Sequence, residues 1–169
     1  MKIPRSITAG LVAFLVVIGL VLVWHLTGLR VAAPNVTYTL IDGKRQELQA
    51  LRGKVVLVNF WATSCATCVK EMPAITATYE KYKSRGYETV AVAMSYDPPA
   101  YVVAFAESRR LPFPVAIDNT GAVAKSFGDV RLTPTTFLID RRGRVVKRYL
   151  GEPDFTELNK QIETLLAEG

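Results

Sequence analysis

Hydrophobic positions along this chain fall into three patterns, and each predicts a different element. Residues 6–29 form a run of 24 without Asp, Glu, Lys or Arg, centred on "LVAFLVVIGLVLVW". At 1.5 Å rise per residue, about 20 such residues cross a hydrocarbon layer of ~30 Å, so the run predicts one N-terminal transmembrane helix. Short continuous apolar runs over residues 55–60, 88–96, 113–118 and 133–140 predict strands, the first of them buried on both faces. Between them the period lengthens. From Cys65 or Ala66 to about residue 83, Met72, Ile75, Tyr79 and Tyr82 share one helical stripe, and Gly86 stops it. Further helices are predicted over residues 98–109, 121–127 and 155–167, the last capped by Asp154.

Alternating apolar and polar residues around Asp42-Gly43 predict a small hairpin leading to a turn at Gly53. A second hairpin joins residues 133–140 to residues 144–150 through Arg142-Gly143. Strand, helix, strand, closing on a hairpin and a helix, is the order of an α/β domain: a mixed central β-sheet with helices on both faces. The chain therefore divides into a membrane anchor over residues 1–29, a linker over 30–35 and a single domain over 36–169. It has no internal repeat.

Charge orients this arrangement. Lys2 and Arg5 precede the apolar run, so the bias of basic residues toward the cytoplasm places the N-terminus inside and the domain outside. A cleaved signal peptide ending at Ala33 is the competing reading, opposed by the length of the run and by Pro34 directly after the site. Trp24 and His25, near the outer end, suit a bilayer interface, and His25 is the sole histidine. From Pro34 onward there are 18 basic and 15 acidic residues, and the basic ones gather late in "DRRGRVVKR". That cluster reads as a solvated hairpin or as a surface for anionic headgroups or an acidic partner. Nucleic acid is excluded, because no nucleic-acid motif is present and the domain faces outward.

Both cysteines of the 169-residue chain lie in "FWATSCATC", residues 60–68, where a strand gives way to a helix. A helix N-terminus stabilises the thiolate of the first cysteine and lowers its pKa. Cys65 is thus the expected nucleophile and Cys68 the resolving thiol of a redox pair. A structural staple across two residues would constrain the unfolded chain very little. Zinc normally needs four ligands, and the domain offers two thiols and no histidine. Copper(I), which two soft thiolates can hold, and a thiol peroxidase are the remaining alternatives.

Three stretches, "VVLVNFWATSCATCVKEMP", "LTPTTFLID" and "GRVVKRYLGE", resemble the membrane-anchored thioredoxin-like oxidoreductases of the TlpA, ResA and CcmG group. The resemblance covers nearly the whole domain. It implies a thioredoxin fold, thiol-disulfide exchange on the periplasmic side of the inner membrane, and no cofactor beyond the Cys65-Cys68 disulfide. It also implies cysteine-containing substrate proteins, such as apocytochrome c or copper-site cysteines of oxidase subunits, and a membrane electron donor of the DsbD/CcdA type. Pro134 matches the proline that is cis in this fold, the Thr133 backbone matches the position that pairs with an extended substrate, and Trp61 joins them as a substrate contact. Pro73 matches the kink in the active-site helix. The chain departs from thioredoxin in three places: Asn59 stands where a buried acid is usual, Ser64 replaces the tryptophan before the first cysteine, and Ala66-Thr67 separates the pair. Glu71 matches a glutamate that tunes the site in ResA-like members. It lies three residues after Cys68 on the same helix face, and a solvent-facing helix glutamate is the alternative.

Overall fold

The computed structural model describes residues 30–168, together with 14 and 16–19. The chain forms two compact units, Met1–Val31 and Ala32–Gly169. In the first, residues 14 and 16–19 are helical, and the rest of the expected anchor lies outside the described residues. Among the described residues no helix is long and apolar enough to cross a membrane.

The second unit is built on one sheet. Its strands are β1 (Thr37–Leu40), β2 (Arg45–Glu47), β3 (Val55–Trp61), β4 (Tyr87–Ala93), β5 (Val115–Ile117), β6 (Thr135–Ile139) and β7 (Val145–Leu150). They lie in the order β2-β1-β5-β4-β3-β6-β7. Strands β3, β4 and β5 are parallel, and β6 runs antiparallel to β3, so the sheet is mixed as the alternation predicts. The helices are α1 (Ala66–Tyr82), α2 (Pro99–Ser108), α3 (Ala122–Ser126) and α4 (Phe155–Ala167).

Strand β3 is central and every one of its residues is buried. Val55, Leu57 and Trp61 turn to one face, where they pack with Met72 and Ile75 of α1, Val102 of α2, and Leu158 and Ile162 of α4. Val56, Val58 and Phe60 turn to the other face, toward Val123 and Ala124 of α3 and Leu48 of a 3-10 turn. There Phe60, Phe127 and Phe137 form a trio with ring centroids 4.9–6.0 Å apart. Burying one such side chain contributes about 1.5–3 kcal/mol, and the two clusters together hold the sheet between its helices.

Two expectations are corrected, and the stretch before the domain makes backbone contacts of its own. The strand expected over residues 88–96 ends at Ala93, because the Asp97 amide donates to the Met94 carbonyl (2.9 Å) and turns the chain out of the sheet. The strand expected over 113–118 shortens to Val115–Ile117, since Pro114 has no N–H to give the ladder. The linker expected over residues 30–35 is partly stitched into the domain. Ala32 bridges Arg144, and the Ala33 amide donates to the Gly143 carbonyl at 2.9 Å.

Candidate active site

Strand β3 delivers the chain to the site. After Trp61 the backbone turns through Ala62 and Thr63, and the turn is pinned from across the sheet. Thr63 donates its backbone N–H to Asp97 Oδ2 and its hydroxyl to Asp97 Oδ1, both at 2.6 Å. Asp97 is itself buried, so one carboxylate locks the loop that precedes the cysteines. The Cys65 amide then donates to the Ala62 carbonyl, and Cys65 becomes the N-cap of α1.

Cys65 and Cys68 form a disulfide with Cα atoms 5.2 Å apart. The two sulfurs occupy unlike surroundings. Cys65 is half-buried, and its Sγ accepts a hydrogen bond from the Cys68 amide at 3.2 Å. Once the bond is reduced, that donor and the helix N-terminus stabilise negative charge on Cys65 Sγ. Cys68, one turn further in, has no exposed surface.

Glu71 lies behind the disulfide on the inward face of α1, fully buried. The solvent-facing alternative is therefore ruled out. Asn59 of β3 donates from Nδ2 both to Glu71 Oε1 and to Thr136 Oγ1, each at 2.9 Å. Glu71 Oε2, Asn59 Oδ1 and Trp61 Nε1 have no hydrogen-bond partner among the described residues. Burial pushes the Glu71 carboxyl up to about 7; the Asn59 hydrogen bond opposes this, and the charge of Glu152 adds to it. A carboxyl with a pKa in this range exchanges a proton readily at neutral pH.

The Thr133-Pro134 peptide is cis, as the resemblance implies. Register places Pro134 alongside Trp61, because Thr135 pairs with Phe60 at the same end of the sheet as the disulfide. Thr133 is half-exposed, and its hydroxyl shares a 3.2 Å hydrogen bond with that of Tyr96. Tyr96 (56% exposed) and Leu132 (63% exposed) flank it, so the surface beside Thr133 is apolar. Trp61, expected as a substrate contact, is instead wholly inside, its ring 5.1 Å from that of Phe105. Its position at the end of an all-buried strand leaves no surface for a partner, and its packing supports the turn from beneath.

The structure thus joins Cys65 to Cys68, buries Glu71 one turn after Cys68 on the same helix face, and sets Thr133 and Pro134 at the same end of the sheet. Sequence reasoning missed Asp97 and Tyr96. Asp97 precedes Pro98 and reads locally as a turn residue, with nothing nearby to announce its partner. For Glu71 a signal existed: Cys68, Glu71, Met72, Ile75, Thr78 and Tyr82 recur at helical spacing and are all buried.

Residues 30–165 match the Redoxin family model. The thiol-disulfide oxidoreductase ResA of Bacillus thuringiensis is 40% identical over 133 residues, covering 79% of this chain and 76% of the relative. ResA of Bacillus subtilis is 43% identical over 119 residues, covering 70% of this chain and 65% of the relative. Among solved structures, a thiol:disulfide interchange protein of the thioredoxin family from Chlorobium tepidum superposes with a TM-score of 0.74. It is 26% identical and covers 81% of this chain and 97% of that one.

Proposed function

The chain belongs to the Redoxin family and is a thiol-disulfide oxidoreductase, and from that premise we propose that it reduces disulfides in extracytoplasmic proteins while anchored to the inner membrane by residues 1–29. One observation carries the mechanism: Cys65 is reachable and Cys68 is not. In the reduced protein the Cys65 thiolate attacks one sulfur of a substrate disulfide. A Cys65-substrate disulfide forms and the first substrate thiolate leaves. Cys68 then attacks Cys65 Sγ, which forms the intramolecular disulfide and releases the second substrate thiolate, so two electrons pass to the substrate. Glu71 takes the proton that Cys68 loses, since its carboxyl, held near 7, is partly ionised at neutral pH.

The substrate lies along Thr133, whose backbone is offered beside the cis proline, with Tyr96 and Leu132 supplying apolar contact. The substrates proposed are cysteine pairs of apocytochrome c or copper-site cysteines of oxidase subunits. A membrane donor of the DsbD/CcdA type would restore the thiols.

The test uses single-cysteine variants made in cells and resolved on non-reducing gels. Cys68→Ser should accumulate mixed disulfides that reductant dissolves, because it can attack and cannot resolve. Cys65→Ser should trap few or none. Equal trapping by both variants would refute the order of attack. Trapping by neither, with copper(I) held by the purified wild-type chain through both thiols, would favour an assembly factor that works by metal ligation.

A further inference from the structure

The end of the domain opposite the disulfide carries its whole excess of charge. Arg52, Lys54, Arg85, Arg141, Arg142 and Arg144 meet there. Arg141 Nη1 donates to the Gly53 carbonyl (2.8 Å), and its Nη2 to the carbonyls of Arg85 (3.3 Å) and Leu166 (3.2 Å). The Arg52 side chain lies 3.4 Å from where a Cβ on Gly143 would sit. The acids at this end are Asp140, paired with Arg144, Glu88, paired with Lys54, Glu168, and Glu80 and Glu163, which pair with Lys83 and Lys81 at the end of α1. Eight basic side chains against five acidic ones leave three positive charges, and the remaining 10 basic and 10 acidic residues from Pro34 onward cancel. Arg52, Arg85 and Arg142 are exposed.

The chain also enters the domain here, through the Ala32–Arg144 bridge. Only Arg30 and Val31 lie between Ala32 and Leu29, the end of the expected anchor, so three steps of chain join them and at full extension reach about 10 Å. That is comparable to one Debye length, ~8 Å at physiological salt, from a membrane surface.

We propose that this basic end docks on an anionic phospholipid surface. The inference rests on the reading that residues 1–29 anchor the chain. Docking would fix the domain upright. Strand β3 spans about 20 Å from Val55 to Trp61 at ~3.3 Å per residue, so Cys65 and Thr133 would face away from the bilayer, open to soluble partners.

The test is arginine footprinting of the full chain with phenylglyoxal, read by mass spectrometry, in nanodiscs of phosphatidylcholine alone and with added phosphatidylglycerol. Arg131, exposed at the disulfide end, is the internal reference. Arg52 and Arg142 should be modified about fivefold more slowly in the anionic discs, Arg131 equally in both, and the difference should vanish at high salt. Arg142→Glu should restore modification of Arg52. Equal modification of Arg52 and Arg142 in both lipids, with the chain held in the discs, would overturn docking and leave the anchor standing. A chain that fails to enter the discs would overturn the anchor and docking together. Protection by added polyglutamate and none by anionic lipid would overturn the lipid in favour of an acidic protein.

Discussion

The two ends of strand β3 treat buried charge in opposite ways. At the Val55 end, Asp140 Oδ1 accepts from the amides of Arg142 (3.0 Å) and Arg144 (2.9 Å), and its Oδ2 accepts from Arg144 Nε (2.9 Å). Arg141 beside it spreads three hydrogen bonds over three carbonyls, with only its Nε left over. At the Trp61 end, Glu71 receives one hydrogen bond, and among the described residues its Oε2, Asn59 Oδ1 and Trp61 Nε1 have no partner. A buried carboxylate that is well supplied with donors holds structure; one that is undersupplied moves its pKa toward neutrality and becomes a proton exchanger. The first end ties the hairpin, the C-terminus of α4 and the entry of the chain together. The second surrounds the disulfide.

The largest effect is expected at Asp140. Asp140→Ala removes the partner of Arg144 and leaves two backbone amides without their acceptor, so urea unfolding should show a loss of about 3–5 kcal/mol. Disulfide exchange by the protein that remains folded should be unchanged.

Glu71→Gln sharpens the contrast from the other side, through pH. A carboxyl raised by burial from 4.5 to about 7 holds its proton in the folded state where the unfolded state has lost it. Stability is then greatest below about 4.5, falls as pH rises through the window from 4.5 to 7, and levels off above it; the total fall is roughly 3 kcal/mol. Unfolding midpoints at pH 4.5 and pH 8 should differ accordingly in the wild type, and the part due to this group should disappear in Glu71→Gln. Reduction of a protein disulfide by the variant should slow by about tenfold or more at neutral pH, because Cys68 loses its proton acceptor. A variant with wild-type pH dependence and rate would return Glu71 to a packing role.

Much of the fold is legible in the sequence where local pattern and tertiary environment agree. Residues 55–60 read as a doubly covered strand because both faces are apolar, and α1 begins where Cys65 caps it. The Asp154 cap is confirmed by hydrogen bonds from the Thr156 and Glu157 amides to its Oδ1. What stayed hidden depends on partners distant in the chain. Strand β5 has three residues and owes its place to β4 on one side and β1 on the other. Asp97 acts on Thr63 across 34 positions. Trp61 could be read as exposed or buried from its motif alone, and only the packing of Phe105 decides. The site chemistry was legible in the cysteines and their helix, while the state of Glu71 depends on donors that the sequence does not count.

An undersupplied carboxyl, one turn after the buried cysteine of the disulfide, holds an exchangeable proton at neutral pH. Carbon-13 NMR of the Glu71 carboxyl, followed through acid to alkaline pH in the oxidised chain, measures this directly. The midpoint should fall near 7 and stay there in Asp140→Ala, since the two ends are independent. A midpoint near 4.5, the ordinary value for a glutamate, would contradict the account.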